Sequence, residues 1–180
     1  MRKKIPKIRL FFALRPERAS EKKLLTLIRR LKKQFKGRFY PVNKLHLTLA
    51  FLGWVRKDRL KVVENVFKEQ SAHSHSFKVE TDLLELCRRS RCRNHLWLRF
   101  KNAEVLENFQ NKLLILLKRN KFPVEKCRFL PHLTLARQLE TKKKIKEPLE
   151  LKLEFNQFIL YQSTLLRQGS RYTKLLSSSK

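Results

Sequence analysis

The chain is poor in the residues that staple, hinge or thin out a polypeptide. It has three cysteines, three glycines and six prolines in 180 residues, and only 15 acidic side chains against 44 Lys plus Arg. The cysteines, Cys87, Cys92 and Cys127, are odd in number and form no C-x-x-C pair. This argues against a disulfide scaffold or a thiolate zinc site and fits a reducing cytoplasm. Each cysteine reads as a small, soft core residue. With so little Gly and Pro, no linker or low-complexity tract divides the chain, and one domain is expected over 1–180. The apolar run Leu10-Phe11-Phe12-Ala13-Leu14 is too short for a secretory signal. No run approaches the ~18 apolar residues of a membrane span, so no membrane partner is expected.

What the chain does have is a core and a charge. Hydrophobic residues make up 42% and aromatics 10%, enough to bury a real interior. The formal net charge is +29. Such an excess speaks to partners rather than to fold, and favours an acidic protein or a polyanion such as RNA or DNA.

The patterning is mixed α and β. A buried strand is expected over 8–14, ended by Arg15-Pro16. Ser20 is placed to cap a helix whose apolar positions Leu24, Leu27, Ile28, Leu31 and Phe35 recur at helical spacing, with Gly37 as its stop. A strand over 45–52 is closed by Gly53, and Asp58 can cap a second helix through Leu60, Val63 and Phe67. Strands follow at 77–86 and 95–100, a helix at 103–120, and strands at 130–136, 151–163 and 172–176. The lysine-rich stretch 141–148 reads as a solvated loop, as does the polar segment 71–76 that contains His73 and His75.

One feature stands out from this background. His-Leu-Thr-Leu-Ala occurs twice, at His46–Ala50 and His132–Ala136, 86 residues apart in a chain with only five histidines. Chance repetition of five residues in so short a chain is very improbable, so the repeat marks an internal duplication. In a strand, residues i and i+2 share a face. His46 and Thr48 therefore project to one side and the leucines to the other, and the same holds for His132 and Thr134. If a pseudo-twofold brings the two strands together, two imidazoles and two hydroxyls converge. One imidazole can then act as general base on a water and the other as general acid on a leaving alkoxide. A free imidazole titrates near ~6.5, so both protonation states are accessible around neutral pH. The hydroxyls can donate to phosphoryl oxygens, and a nearby guanidinium would match phosphate geometry. This chemistry needs no cofactor and no metal. No Asp, Glu or Cys stands at zinc-ligand spacing beside either copy.

These paired motifs resemble those of the two-histidine phosphoesterase superfamily. With their flanks they are similar to the bacterial and archaeal RNA 2′,3′-cyclic phosphodiesterases, the LigT-type 2′-5′ RNA ligases. The resemblance runs through Arg9-Leu10-Phe11-Phe12-Ala13-Leu14, 43–53, Leu96-Trp97-Leu98, 129–137 and the closing 163–172. It implies an α+β fold of two pseudo-symmetric lobes of antiparallel sheet, with outer helices, around a central groove. It implies a monomer that opens a terminal 2′,3′-cyclic phosphate on RNA to a 2′-phosphate. His46 would be the proton donor and His132 the proton acceptor. Thr48, Thr134 and Arg137 would hold the phosphate, and Phe12 would stack on the terminal base. In an ideal strand Arg137, five residues after His132, points away from the groove; it reaches phosphate only if the strand ends or bulges near Ala136. Two other functions remain open on the sequence. The same acid–base pair serves a 2′-5′ RNA ligase running the reverse chemistry, and a non-catalytic RNA or nucleotide binder could keep the groove. Arg88, Arg89, Arg91 and Arg93 either grip RNA beyond the terminal nucleotide or have no specific role.

Overall fold

The computed structural model describes residues 5–88, 94–101, 103–124, 128–167 and 169–178. Cys92, Cys127, Arg89, Arg91 and Arg93 lie outside the described residues. Strand β1 (Lys7–Pro16) leads into helix α1 (Arg18–Gln34), and a two-residue strand β2 (Arg38–Phe39) and one 3-10 turn precede β3 (Leu47–Arg56). Helix α2 (Leu60–Ser71), strands β4 (Phe77–Cys87) and β5 (His95–Lys101) and helix α3 (Glu104–Arg119) follow. The chain ends with β6 (His132–Arg137), β7 (Lys146–Pro148), β8 (Lys152–Leu166) and β9 (Gly169–Ser177).

The strands run in the order β7-β4-β5-β6-β3-β1-β8-β9, and every pairing is antiparallel. The order is palindromic about β6 and β3, the two strands that carry the repeat. They meet through one pair, Leu47 opposite Leu133, the second residue of each copy. One lobe is thus β3-β1-β8-β9 and the other β6-β5-β4-β7, and β4 also pairs with β8 on the far side. This is the expected α+β architecture, with antiparallel sheet and outer helices.

The helices bury their apolar stripes against one face of the sheet. Leu24, Leu27, Ile28 and Leu31 of α1, Val63, Val66 and Phe67 of α2, and Leu106, Phe109, Leu113 and Leu117 of α3 join a single core with Leu10, Phe12, Leu14 and Phe158 from the strands. Phe158 is its keystone. Phe12 stacks on one side of its ring and Phe67 on the other, at 5.6 and 4.9 Å between centroids, while Phe109 meets it edge-on. Among the described residues no helix is long and apolar enough to cross a membrane.

Several local expectations are corrected. Ser20 does not cap α1. The helix already begins at Arg18, and Ser20 is buried with its Oγ accepting the Glu154 N–H at 2.8 Å. Asp58 does not cap α2 either, because Arg56 holds its carboxylate through two hydrogen bonds. Gly37 lies beyond the end of α1, where a Cβ would stand 2.8 Å from Leu139 Cδ1; close packing, rather than a helix stop, requires glycine there. Gly53 does not close its strand. It adopts φ +64 at a bulge, and β3 continues to Arg56. The lysine-rich stretch includes a short edge strand, β7, paired with β4, and it buries Ile145. His73 and His75 do lie in the turn and loop after α2.

Candidate active site

The repeat sits where the two lobes join, and α3 borders it through Gln110 and Leu114. Its two copies line one groove of about 540 Å³, together with Tyr40, His95, Trp97 and Arg137. His46 and Thr48 enter from β3 and its approach, and His132 and Thr134 from β6, as strand alternation requires. Leu47, Leu49, Leu133 and Leu135 all go into the core.

Each catalytic candidate is held in the same way. His46 Nδ1 lies 2.8 Å from the carbonyl of Lys44, and His132 Nδ1 lies 2.7 Å from that of Leu130. A carbonyl can only accept, so Nδ1 carries the proton in both neutral rings and Nε2 is left as the unprotonated nitrogen. His75 makes the same bond to the carbonyl of His73 at 3.1 Å on an exposed loop. The bond therefore fixes a tautomer without by itself marking a site. His75 also packs on a ring, that of Phe77 at 4.5 Å, but it is exposed, whereas the two repeat histidines are half-buried in the groove. His46 is walled by Phe11, 5.2 Å away, and by Tyr172, edge-on at 5.1 Å. His132 stacks on Trp97 at 4.0 Å. Both rings are thereby fixed in orientation as well as in tautomer.

Arg137 reaches the groove because β6 bulges. Leu96 pairs with Ala136 and Trp97 with Thr134, so Leu135 is an extra residue. Leu135 and Ala136 then both face the core, and the parity of everything after them is reversed. The first copy does the same. Phe12 pairs with Ala50 and Ala13 with Thr48, leaving Leu49 extra. The carbonyls of both extra residues are capped from outside the ladder. Gln110 Nε2 of α3 donates to Leu49 O at 3.3 Å, and Tyr40 N–H donates to Leu135 O at 2.9 Å. Arg137 therefore points where a strict strand would not allow, and its counterpart in the first copy is Phe51, 43% exposed and on the same groove.

The Arg137 guanidinium lies 5.3 Å over the Tyr40 ring, and its buried Nε has no hydrogen-bond partner among the described residues. Arg38 is its cross-strand partner on β2. Burial pushes the Tyr40 hydroxyl up to about 12, against the opposing pull of Arg137 and Arg38, so Tyr40 remains a donor at neutral pH. Sequence reasoning missed Tyr40, His95 and Phe51 as groove residues. Only Phe51 carried a readable signal, its place one residue after the first repeat matching that of Arg137 after the second.

Phe12 is a correction. It is 0% exposed, on the helix side of β1, and its ring is sandwiched with Phe158. No base can stack on it. Its neighbour Phe11 is the residue on the groove side, and there it backs His46 rather than facing solvent. Cys87 is buried and unpaired. Arg88 donates to the carbonyl of Lys143 at 2.8 Å, which ties down the neighbouring loop.

The groove disfavours positive charge on its imidazoles. Burial lowers His46 to about 4, opposed by the Lys44 carbonyl and assisted by Arg137 and His132. His95 is also lowered to about 4, by burial and then by Arg137 and His132. His132 is lowered in the same sense, mainly by burial. All three fall below the ~6.5 of an unfolded chain, which therefore binds more protons than the native state between about 4 and ~6.5. Stability should rise with pH across that window. Thermal unfolding of the free protein is expected to show a Tm climbing from pH 4.5 to 6.5, with a shallower climb in His95→Asn. An identical slope in the variant would contradict this electrostatic account.

Comparison with known proteins fits this geometry. The family model of the 2′-5′ RNA ligase superfamily matches residues 16–169. The chain belongs to the 2′-5′ RNA ligase superfamily. Among solved members of this fold, E. coli LigT without ligand is 26% identical, with TM-score 0.74 over 96% of this chain and 97% of its own. The same E. coli protein in complex with 3′-AMP gives equal values. TT0787 of Thermus thermophilus shares the fold at TM-score 0.79 and 20% identity, over 94% of this chain and 96% of its own. No curated protein sequence matches the chain significantly.

Proposed function

We propose that the groove is the active site of an RNA 2′,3′-cyclic phosphodiesterase, working without a metal. The observation that carries this reading is the matched pair of imidazoles, each with Nδ1 committed to a carbonyl and both lining one groove. His132 Nε2 takes a proton from water as the water oxygen attacks phosphorus. The P–O3′ bond breaks as His46, protonated at Nε2, returns a proton to O3′. The product is a 2′-phosphate beside a free 3′-hydroxyl, and each ring ends in the opposite protonation state, to be reset by solvent. Thr48, Thr134 and Arg137 donate to the non-bridging oxygens, where charge accumulates. Tyr40, held protonated, is a further donor beside Arg137.

Binding an anion should reverse the electrostatics of the empty groove. A phosphate diester brings negative charge against His46, which raises its proton affinity and restores the acid that the free groove suppresses. The RNA 2′-5′ ligase reading uses the same parts, and the superfamily description favours keeping it as the second reading. Product mapping separates the two. An RNA ending in a 2′,3′-cyclic phosphate is incubated with the protein in EDTA, and its end is digested with phosphatase and nuclease. A 2′-phosphate supports the hydrolase; a 2′-5′ junction in the presence of a 5′-hydroxyl RNA supports the ligase. A 3′-phosphate, or an untouched end, is incompatible with the assignment of His46 as acid to O3′.

A further inference from the structure

The sheet face that forms the groove continues past it. Trp54 on β3 is 62% exposed, the largest aromatic surface given to solvent by any described tryptophan. Its cross-strand partner on β1 is Arg9, and the next pair outward is Lys7 with Arg56. Ile8, Leu10 and Val55 between them belong to the core, so Lys7, Arg9, Trp54 and Arg56 all face away from the helices. A second bulge, with Leu52 as the extra residue, keeps Trp54 on the face of Phe51 instead of turning it inward. One step in from Arg9–Trp54 on that face is Phe11–Phe51, at the groove edge. Arg9 and Phe11 are two residues apart on a regular strand, hence about 7 Å.

Trp54 and Phe51, 62% and 43% exposed, leave adjoining aromatic surface open beside these cations. Among the described residues no carboxylate pairs with Lys7, Arg9 or Lys57, while Arg56 is paired with Asp58. A flat π-surface flanked by free positive charge, continuous with a phosphate site, is the combination that holds single-stranded nucleic acid. A second copy of the chain fits this face poorly, since each copy carries +29. We infer that Trp54 and Arg9 form a subsite for the nucleotide preceding the cyclic end of an RNA strand. The base stacks on Trp54 and the connecting phosphate lies against Arg9. This rests on the reading that the groove takes an RNA end, and it makes the substrate a strand rather than a mononucleotide.

The test compares a nucleoside 2′,3′-cyclic phosphate with a trinucleotide that ends in the same nucleotide. The wild-type protein should prefer the trinucleotide in kcat/KM. Trp54→Ala should lower the trinucleotide-to-mononucleotide ratio about 5- to 150-fold, through KM, and Trp54→Phe should keep most of it. Binding is read independently of turnover, by the part of the tryptophan quenching that Trp54→Ala removes, with Trp97 in the groove as the remaining emitter, on adding a single-stranded RNA carrying a 3′-terminal phosphate. Arg9→Ala should weaken that binding and flatten its salt dependence. A ratio unmoved by Trp54→Ala overturns the subsite. So does sedimentation showing that the wild-type protein self-associates and Trp54→Ala does not, which gives the face to a second copy. Quenching without any turnover would instead remove the phosphodiesterase reading and leave the RNA path standing. Turnover without quenching would do the reverse.

Discussion

Alanine at either His46 or His132 is expected to lower cyclic phosphodiesterase turnover by about 10²- to 10⁴-fold, the usual contribution of one positioned acid or base. The pair acts in a single step, since proton removal from water and proton delivery to O3′ accompany one displacement at phosphorus. The double variant should therefore fall little below the worse of the two single variants, because a lone acid or base cannot complete the exchange. The rings are buried against different partners, Phe11 and Tyr172 for one and Trp97 for the other, so their removal leaves distinct cavities. Near-native Tm in each variant, measured beside its rate, would separate lost chemistry from lost fold. Glutamine is a useful second substitution because it keeps volume and a donor but cannot exchange a proton. The mechanism fails if the double alanine variant turns over the cyclic end at the wild-type rate. The pH dependence carries the same logic. With free-groove imidazoles below their ordinary range, kcat/KM should reach its maximum at lower pH than kcat, since bound phosphate raises His46 in the complex.

The site was legible in the sequence where alternation and repetition both held. His46, Thr48, His132 and Thr134 follow from period two within an exact repeat, and the interleaved leucines point into the core as that period demands. Helical faces were legible for the same reason, because Leu24, Leu27, Ile28 and Leu31 recur on one side. Phe12 failed because the run Leu10-Phe11-Phe12-Ala13-Leu14 has no alternation: β1 is covered on both faces, by the helices on one side and the groove aromatics on the other. Which phenylalanine faces the groove is then set by register, which composition does not encode. Ser20 failed because Glu154, distant in sequence, took its hydroxyl, and Asp58 failed because Arg56, two residues before it, took its carboxylate. Tyr40 and His95 were missed for a related reason. One follows the two-residue β2 and the other opens β5, and both reach the groove through strands that pair with β6, without a motif of their own.

Arg137 is the second residue whose loss should be large. Arg137→Ala is expected to reduce kcat/KM about 10²- to 10³-fold, on the scale of removing one preorganised donor from a developing oxyanion. The guanidinium is placed by the Leu135 bulge, by the Tyr40 ring beneath it and by its shared ladder with β2, so it is ordered before substrate arrives. Preorganisation is what makes the contact count in the transition state, since no reorganisation is then required during the displacement. Arg137→Lys keeps the charge but loses the planar fork and the stacking on Tyr40. It should recover only part of the loss, with the deficit in kcat larger than that in KM. If the lysine variant matched the wild type, Arg137 would be acting as a diffuse attractant, and the two bulges would have no catalytic purpose. The chain carries 44 Lys plus Arg, so a diffuse role could be filled from many positions. A guanidinium already stacked in place on Tyr40 at the groove is a narrower requirement, and Arg137 meets it. The repeat makes the contrast internal to the molecule, because the equivalent bulge in the first copy delivers Phe51, an uncharged ring, to the opposite side of the same groove. In the proposed mechanism one bulge supplies the anion contact and the other an apolar wall, and that asymmetry would give a nearly symmetric scaffold a direction in which to hold its substrate.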